Sequence, residues 1–154
     1  MSTDPHQPLA VLEPLVGTWT VEVVFPDAAT LGPDVPATLH GRTTFAWVLD
    51  GAYLLQQGQV HHPIAPDVHS LIGPAPHGRG FLQHYYDARG VARLYDMTFV
   101  DGLWRLERYP PAPDFAQRFR AQLSADGSTL TGAWQAHRDG SFVHDFTVTY
   151  RREG

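Results

Sequence analysis

The 154-residue chain contains neither cysteine nor lysine. Without cysteine there are no disulfides, thiolate metal sites or Cys nucleophile. Without lysine the 11 arginines are the only fixed side-chain cations, and Schiff-base chemistry is excluded. A net charge of −5 argues against non-specific binding to nucleic acid or to an anionic membrane. No run of 18 apolar residues occurs, as a spanning helix would need. Met1-Ser2-Thr3-Asp4 opens without a basic, then apolar, leader, so a cytoplasmic location is expected. The glutamates, Glu13, Glu22, Glu107 and Glu153, form no evident inward pair for acid–base work. Ser70, Ser124 and Ser128 lack the context of a nucleophile elbow, so no catalytic residue is assigned.

What is present is a series of short alternating segments separated by turn signals. A hydrophobic content of 43% is ordinary for a globular chain, and the length suits one domain. Residues 1–8 are polar with two prolines and read as a flexible arm, leaving 9–154 as the domain. Leu9, Val11, Leu12 and Leu15 lie in a short helical turn, enough apolar surface to plug one end of a barrel. Gly17 then allows the turn into a first strand in which Trp19, Val21, Val23 and Phe25 alternate with polar residues.

The prolines of residues 26–36 read as a long loop. Asp-Gly pairs at Asp50-Gly51, Asp101-Gly102, Asp126-Gly127 and Asp139-Gly140 are hairpin signals, and Asp87-Ala88-Arg89-Gly90 is a fifth turn. About ten strands follow, near 18–25, 38–49, 52–61, 67–73, 80–86, 91–100, 103–109, 115–124, 129–137 and 141–151. The fold class expected is all-β: a single antiparallel up-and-down barrel that hides its own edges.

The turns also set register, and register decides which residues face inward. The Asp-Gly loops place Trp47 opposite Leu54, Phe45 opposite Gln56, Phe99 opposite Trp104, and Phe119 opposite Trp134. A four-residue loop over 87–90 sets His84 opposite Arg93 and Tyr86 opposite Val91. At the last hairpin a two-residue loop would set Trp134 opposite Asp145. A three-residue loop over 138–140 sets Trp134 opposite His144, agrees with the apolar set Phe142, Phe146 and Val148, and is preferred. The inferred ligand-binding interior is therefore Trp47, Gln56, His84, Tyr86, Arg93, Tyr95, Gln117, Phe119, Trp134 and His144. No inward Asp or Glu accompanies Arg93 in this register, which favours a ligand carboxylate as its partner.

The turn followed by Gly17-Thr18-Trp19 resembles the entry to calycin barrels: lipocalins, fatty-acid-binding proteins and nitrobindins. Phe45-Ala46-Trp47-Val48-Leu49-Asp50-Gly51, Tyr85-Tyr86-Asp87-Ala88-Arg89-Gly90-Val91 and Val143-His144-Asp145-Phe146 extend the likeness, which is greatest to a bacterial lipocalin-like branch. The resemblance implies a barrel around a small, mostly apolar ligand, with interior Arg and Tyr holding an acidic head group. Its nitrobindin side implies an alternative, haem with His144 as axial ligand. A third reading is a small barrel enzyme using His84 and Arg93. The histidines His61, His62, His69, His77 and His84 have no zinc-ligand spacing, and no metal site is assigned. A small hydrophobic or amphipathic ligand is the expected partner, with neither nucleic acid nor membrane; a homodimer is left open.

Overall fold

Ten antiparallel strands close into one barrel in a computed structural model that describes residues 7–76 and 80–154. They are β1 (Gly17–Val24), β2 (Thr38–Val48), β3 (Tyr53–Val60), β4 (Val68–Pro74), β5 (Phe81–Asp87), β6 (Ala92–Val100), β7 (Leu103–Arg108), β8 (Gln117–Leu123), β9 (Thr129–Arg138) and β10 (Ser141–Arg152). Each strand pairs with its neighbours in sequence, and β1 also pairs with β10, so no edge is left open. This is the expected up-and-down barrel, with strand bounds within two residues of those read from the turns. No helix among the described residues is long and apolar enough to cross a membrane. The proposed arm over 1–8 lies mostly outside the described residues, and a 3-10 helix already begins at Gln7.

That helix, Gln7–Leu15, plugs one end. Leu9, Leu12 and Leu15 are fully buried beside Trp19, whereas Val11 is half exposed and takes no part in the plug. The Trp19 indole N–H donates to the Leu15 carbonyl at 2.9 Å. Arg152 lies over the Trp19 ring at 4.2 Å and donates to the carbonyls of Val16, at 2.6 Å, and Pro14. Trp47 donates to Glu13 at 2.7 Å from the same end of the barrel. The long loop after β1 carries only one four-residue 3-10 turn, Ala28–Leu31.

Register follows from turn geometry. Asp101 and Gly102 both have positive φ, 53° and 77°, the conformation of a two-residue loop that matches strand twist. Phe99 stands opposite Trp104 there, Phe119 opposite Trp134, and Trp47 opposite Leu54, as expected. At Gly132 the strands come so close that a Cβ would lie 1.9 Å from the Arg120 carbonyl oxygen, so only glycine fits.

Two hairpins differ from expectation. Between β5 and β6 the loop is three residues, Ala88-Arg89-Gly90, because the Asp87 N–H bonds to the Val91 carbonyl at 3.1 Å. Gly90 takes φ 84°, the left-handed position of that loop type. The one-residue slip turns every β5 side chain to the other face. Tyr85, not His84, now stands opposite Arg93, and Tyr86 opposite Ala92.

Between β9 and β10 the loop is Asp139-Gly140, two residues, both with positive φ. A bulge between His144 and Phe146 then shifts the register once more, so Phe146 faces Trp134. The bulge sends Phe146, Val148 and Tyr150 inward but leaves His144 exposed, opposite Gln135. Phe142 sits on the outer face, where the Arg118 guanidinium lies 3.4 Å over its ring.

Candidate functional site

Away from the plug the barrel holds a cavity of about 430 Å³, within the range of about 300–1,000 Å³ typical of small-molecule sites. Of the ten interior residues expected, Gln56, Arg93, Tyr95, Gln117, Phe119 and Trp134 line it. Trp47 faces the plug and takes no part in it. His84 and Tyr86 point outward, Tyr86 with 49% of its surface exposed, because of the β5 slip. His144 is turned out because the two-residue loop at Asp139-Gly140 sets it opposite Gln135.

Several lining residues were missed: Ser70, Gln83, Tyr85, Trp104, Tyr150 and Asp145. The first three follow from the corrected β4–β5–β6 register. Tyr150 follows from the alternation Phe146, Val148, Tyr150 along β10. Asp145 is the inward carboxylate that the expected register lacked.

One wall is aromatic. Phe119 stacks between Trp104 and Trp134, each at 4.9 Å, and Trp134 meets Tyr95 at 5.5 Å. These tilted and edge-on pairs suit the ring quadrupoles and fix the wall's shape. The Trp104 indole N–H is buried without a partner among the described residues.

Arg42, Arg89 and Arg93 line the cavity, Arg42 paired with Glu153 at 2.8 Å, and Arg108 reaches it through the lining residue Gln117. Arg108 is buried, donates to both Asp114 oxygens, at 2.5 and 3.3 Å, and donates to the Gln117 side-chain oxygen Oε1 at 3.3 Å. That oxygen also accepts from the Tyr95 hydroxyl at 3.0 Å. Burial pushes the Tyr95 phenol up, so it remains a donor. Arg89 pairs with Asp87 at 2.7 Å. Arg93 lies 5.9 Å from the Tyr85 ring and 5.5 Å from the Phe115 ring, and has no carboxylate within 4.0 Å among the described residues.

Asp87 anchors the turn below Arg93. Burial pushes its carboxyl up, but hydrogen bonds from the Arg89 guanidinium, the Tyr85 hydroxyl and the backbone N–H groups of Arg89 and Val91 outweigh this, holding it well below the usual carboxylate range. A folded-state pKa below the unfolded one gives stability that is fully present above about pH 4. It is lost as pH falls from there toward the folded value. Asp87→Asn is therefore expected to flatten the loss of stability in denaturant titrations below about pH 4. An unchanged acid limb would show that Asp87 does not drive that loss.

Three expectations bear on chemistry beyond binding. No histidine lines the cavity among the described residues, and His144 is on the outside, so these residues do not fit haem ligated through His144. The paired His84–Arg93 arrangement on which the enzyme reading rested is not formed. His61, His62, His69 and His84 belong to no group of three or more potential ligands among the described residues; His77 lies outside them.

No family model matches this chain, nor does any curated protein. The class that the fold defines is a closed ten-stranded antiparallel barrel. A solved structure of that shape is the crystal structure of Rv2717c from M. tuberculosis. It aligns over 99% of this chain and 100% of that chain with a TM-score of 0.66 and 13% identity. At that identity the likeness is one of fold.

Proposed function

We propose that the chain is a calycin-like barrel whose cavity binds a small, mostly apolar ligand bearing an acidic group. The observation that carries this reading is Arg93. Of the arginines on the lining, Arg42 and Arg89 are neutralised by Glu153 and Asp87, while Arg93 has no carboxylate within 4.0 Å among the described residues and lies beside the rings of Tyr85 and Phe115. A guanidinium held among aromatic rings is served best by an anion, and its planar fork suits a carboxylate. The aromatic wall supplies apolar area for the rest of the ligand. Asp145, the one carboxylate on the lining, makes no ion pair among the described residues and keeps a second anion out of its part of the cavity.

The test compares ligands of equal length that differ only in the head group. Decanoate is expected to bind at least about tenfold tighter than decanol by calorimetry, about 1.4 kcal/mol of discrimination. Equal affinity for both would overturn the acidic-group reading, and binding of neither would overturn the cavity's role.

A further inference from the structure

The cavity is divided side to side. Across β3, β4, β5 and β6, Gln56, Ser70, Tyr85 and Arg93 stand directly opposite one another in a single inward row. Three strand spacings of about 4.8 Å make that row about 14 Å long. Across β8, β9 and β10 runs a second inward row, Phe119, Trp134 and Phe146. One row is hydrogen-bonding along its whole length, and the other is aromatic.

The polar row is incompletely satisfied. Gln56 is nine-tenths buried, and its side chain makes no hydrogen bond to any described residue. Gln83, one pair deeper on β5 and 4% exposed, reaches Ser70 only at 3.5 Å and leaves its carbonyl oxygen without a partner. Buried amides are almost always paired, so groups left open on a cavity wall point to a ligand that pairs them. A saturated chain anchored at Arg93 would lay methylenes against them. A flat ring system would offer an edge to one row and a face to the other.

Building on the acidic-group reading, we propose that the occupant is an aromatic acid of two or three fused rings with hydroxyl groups along one edge. The carboxylate meets Arg93, the hydroxyls meet Gln56, Ser70 and Gln83, and the ring face packs on Phe119 and Trp134.

Calorimetry on the full chain tests this with 3,5-dihydroxy-2-naphthoate, 2-naphthoate, decanoate and the decarboxylated naphthalenediol. The dihydroxynaphthoate is expected to bind at least about tenfold tighter than both naphthoate and decanoate. Gln56→Leu should erase the gain from the hydroxyls, so that this variant binds dihydroxynaphthoate and naphthoate within about twofold of each other. Decanoate binding as tightly as the dihydroxynaphthoate, or naphthoate doing so, would overturn the inference and leave the acidic-group reading standing. The diol binding as tightly as its acid would overturn the acidic-group reading instead. The comparisons on the unmodified chain decide between these outcomes even if Gln56→Leu fails to fold.

Discussion

Trp19→Ala is expected to lower the free energy of unfolding by about 3–5 kcal/mol, the range for removing a large aromatic side chain from a core. The indole is fully buried between the plug and the barrel floor, so its apolar area has no route to water. Alanine would leave a void bounded by Leu9, Leu12 and Leu15, and the plug cannot sink to fill it while Trp47 holds Glu13. The Arg152 guanidinium would also lose the ring face on which it lies. For a native state worth about 5–15 kcal/mol, a loss of that size removes much of the margin. Denaturant titration measures it. Trp19→Phe separates the contributions: it keeps most of the ring but removes the donor to Leu15, at a cost of about 1–3 kcal/mol for the buried carbonyl. A loss below about 1 kcal/mol for Trp19→Ala would mean that the plug collapses onto the missing ring.

How much of this was legible depends on which atoms carry the signal. The barrel was legible because Asp-Gly turns are local: left-handed backbone at Asp101-Gly102 is set by two residues, and everything from Phe99 to Trp104 follows. The β5–β6 slip was legible in principle. Asp at the first position and Gly at the fourth of Asp87-Ala88-Arg89-Gly90 suit a type I turn closed by a left-handed glycine, which gives the three-residue loop observed.

The β10 bulge was not, since nothing in His144-Asp145-Phe146 marks an extra residue. It reflects packing on another strand, where Phe146 meets Trp134 and Phe25. The two-residue loop at Asp139-Gly140 is what removes His144 from the interior and turns Asp145 toward the cavity; the bulge then brings Phe146 opposite Trp134. Arg108 was within reach of the turn argument, because Trp104, Leu106 and Arg108 alternate inward from Asp101-Gly102. Arg93 faced inward under either loop length, because the slip moved β5 and left β6 in place.

Arg93→Met is the substitution expected to change binding most. Methionine keeps an unbranched apolar stem of similar reach beside the rings of Tyr85 and Phe115, so the wall's packing is largely preserved. What it removes is the one lining cation without a carboxylate partner among the described residues; Arg42 and Arg89 remain tied to Glu153 and Asp87. Decanoate should therefore lose more than about tenfold in affinity, or about 1.4 kcal/mol, while decanol changes by less than about twofold. Arg93→Lys should fall between the two, retaining the charge but not the planar fork that matches a carboxylate. Raising salt should weaken decanoate binding to the unmodified chain more than to Arg93→Met, because only the former uses a fixed charge near the mouth. If acid and alcohol lose affinity equally, Arg93 supports the wall between Tyr85 and Phe115 and reads no head group.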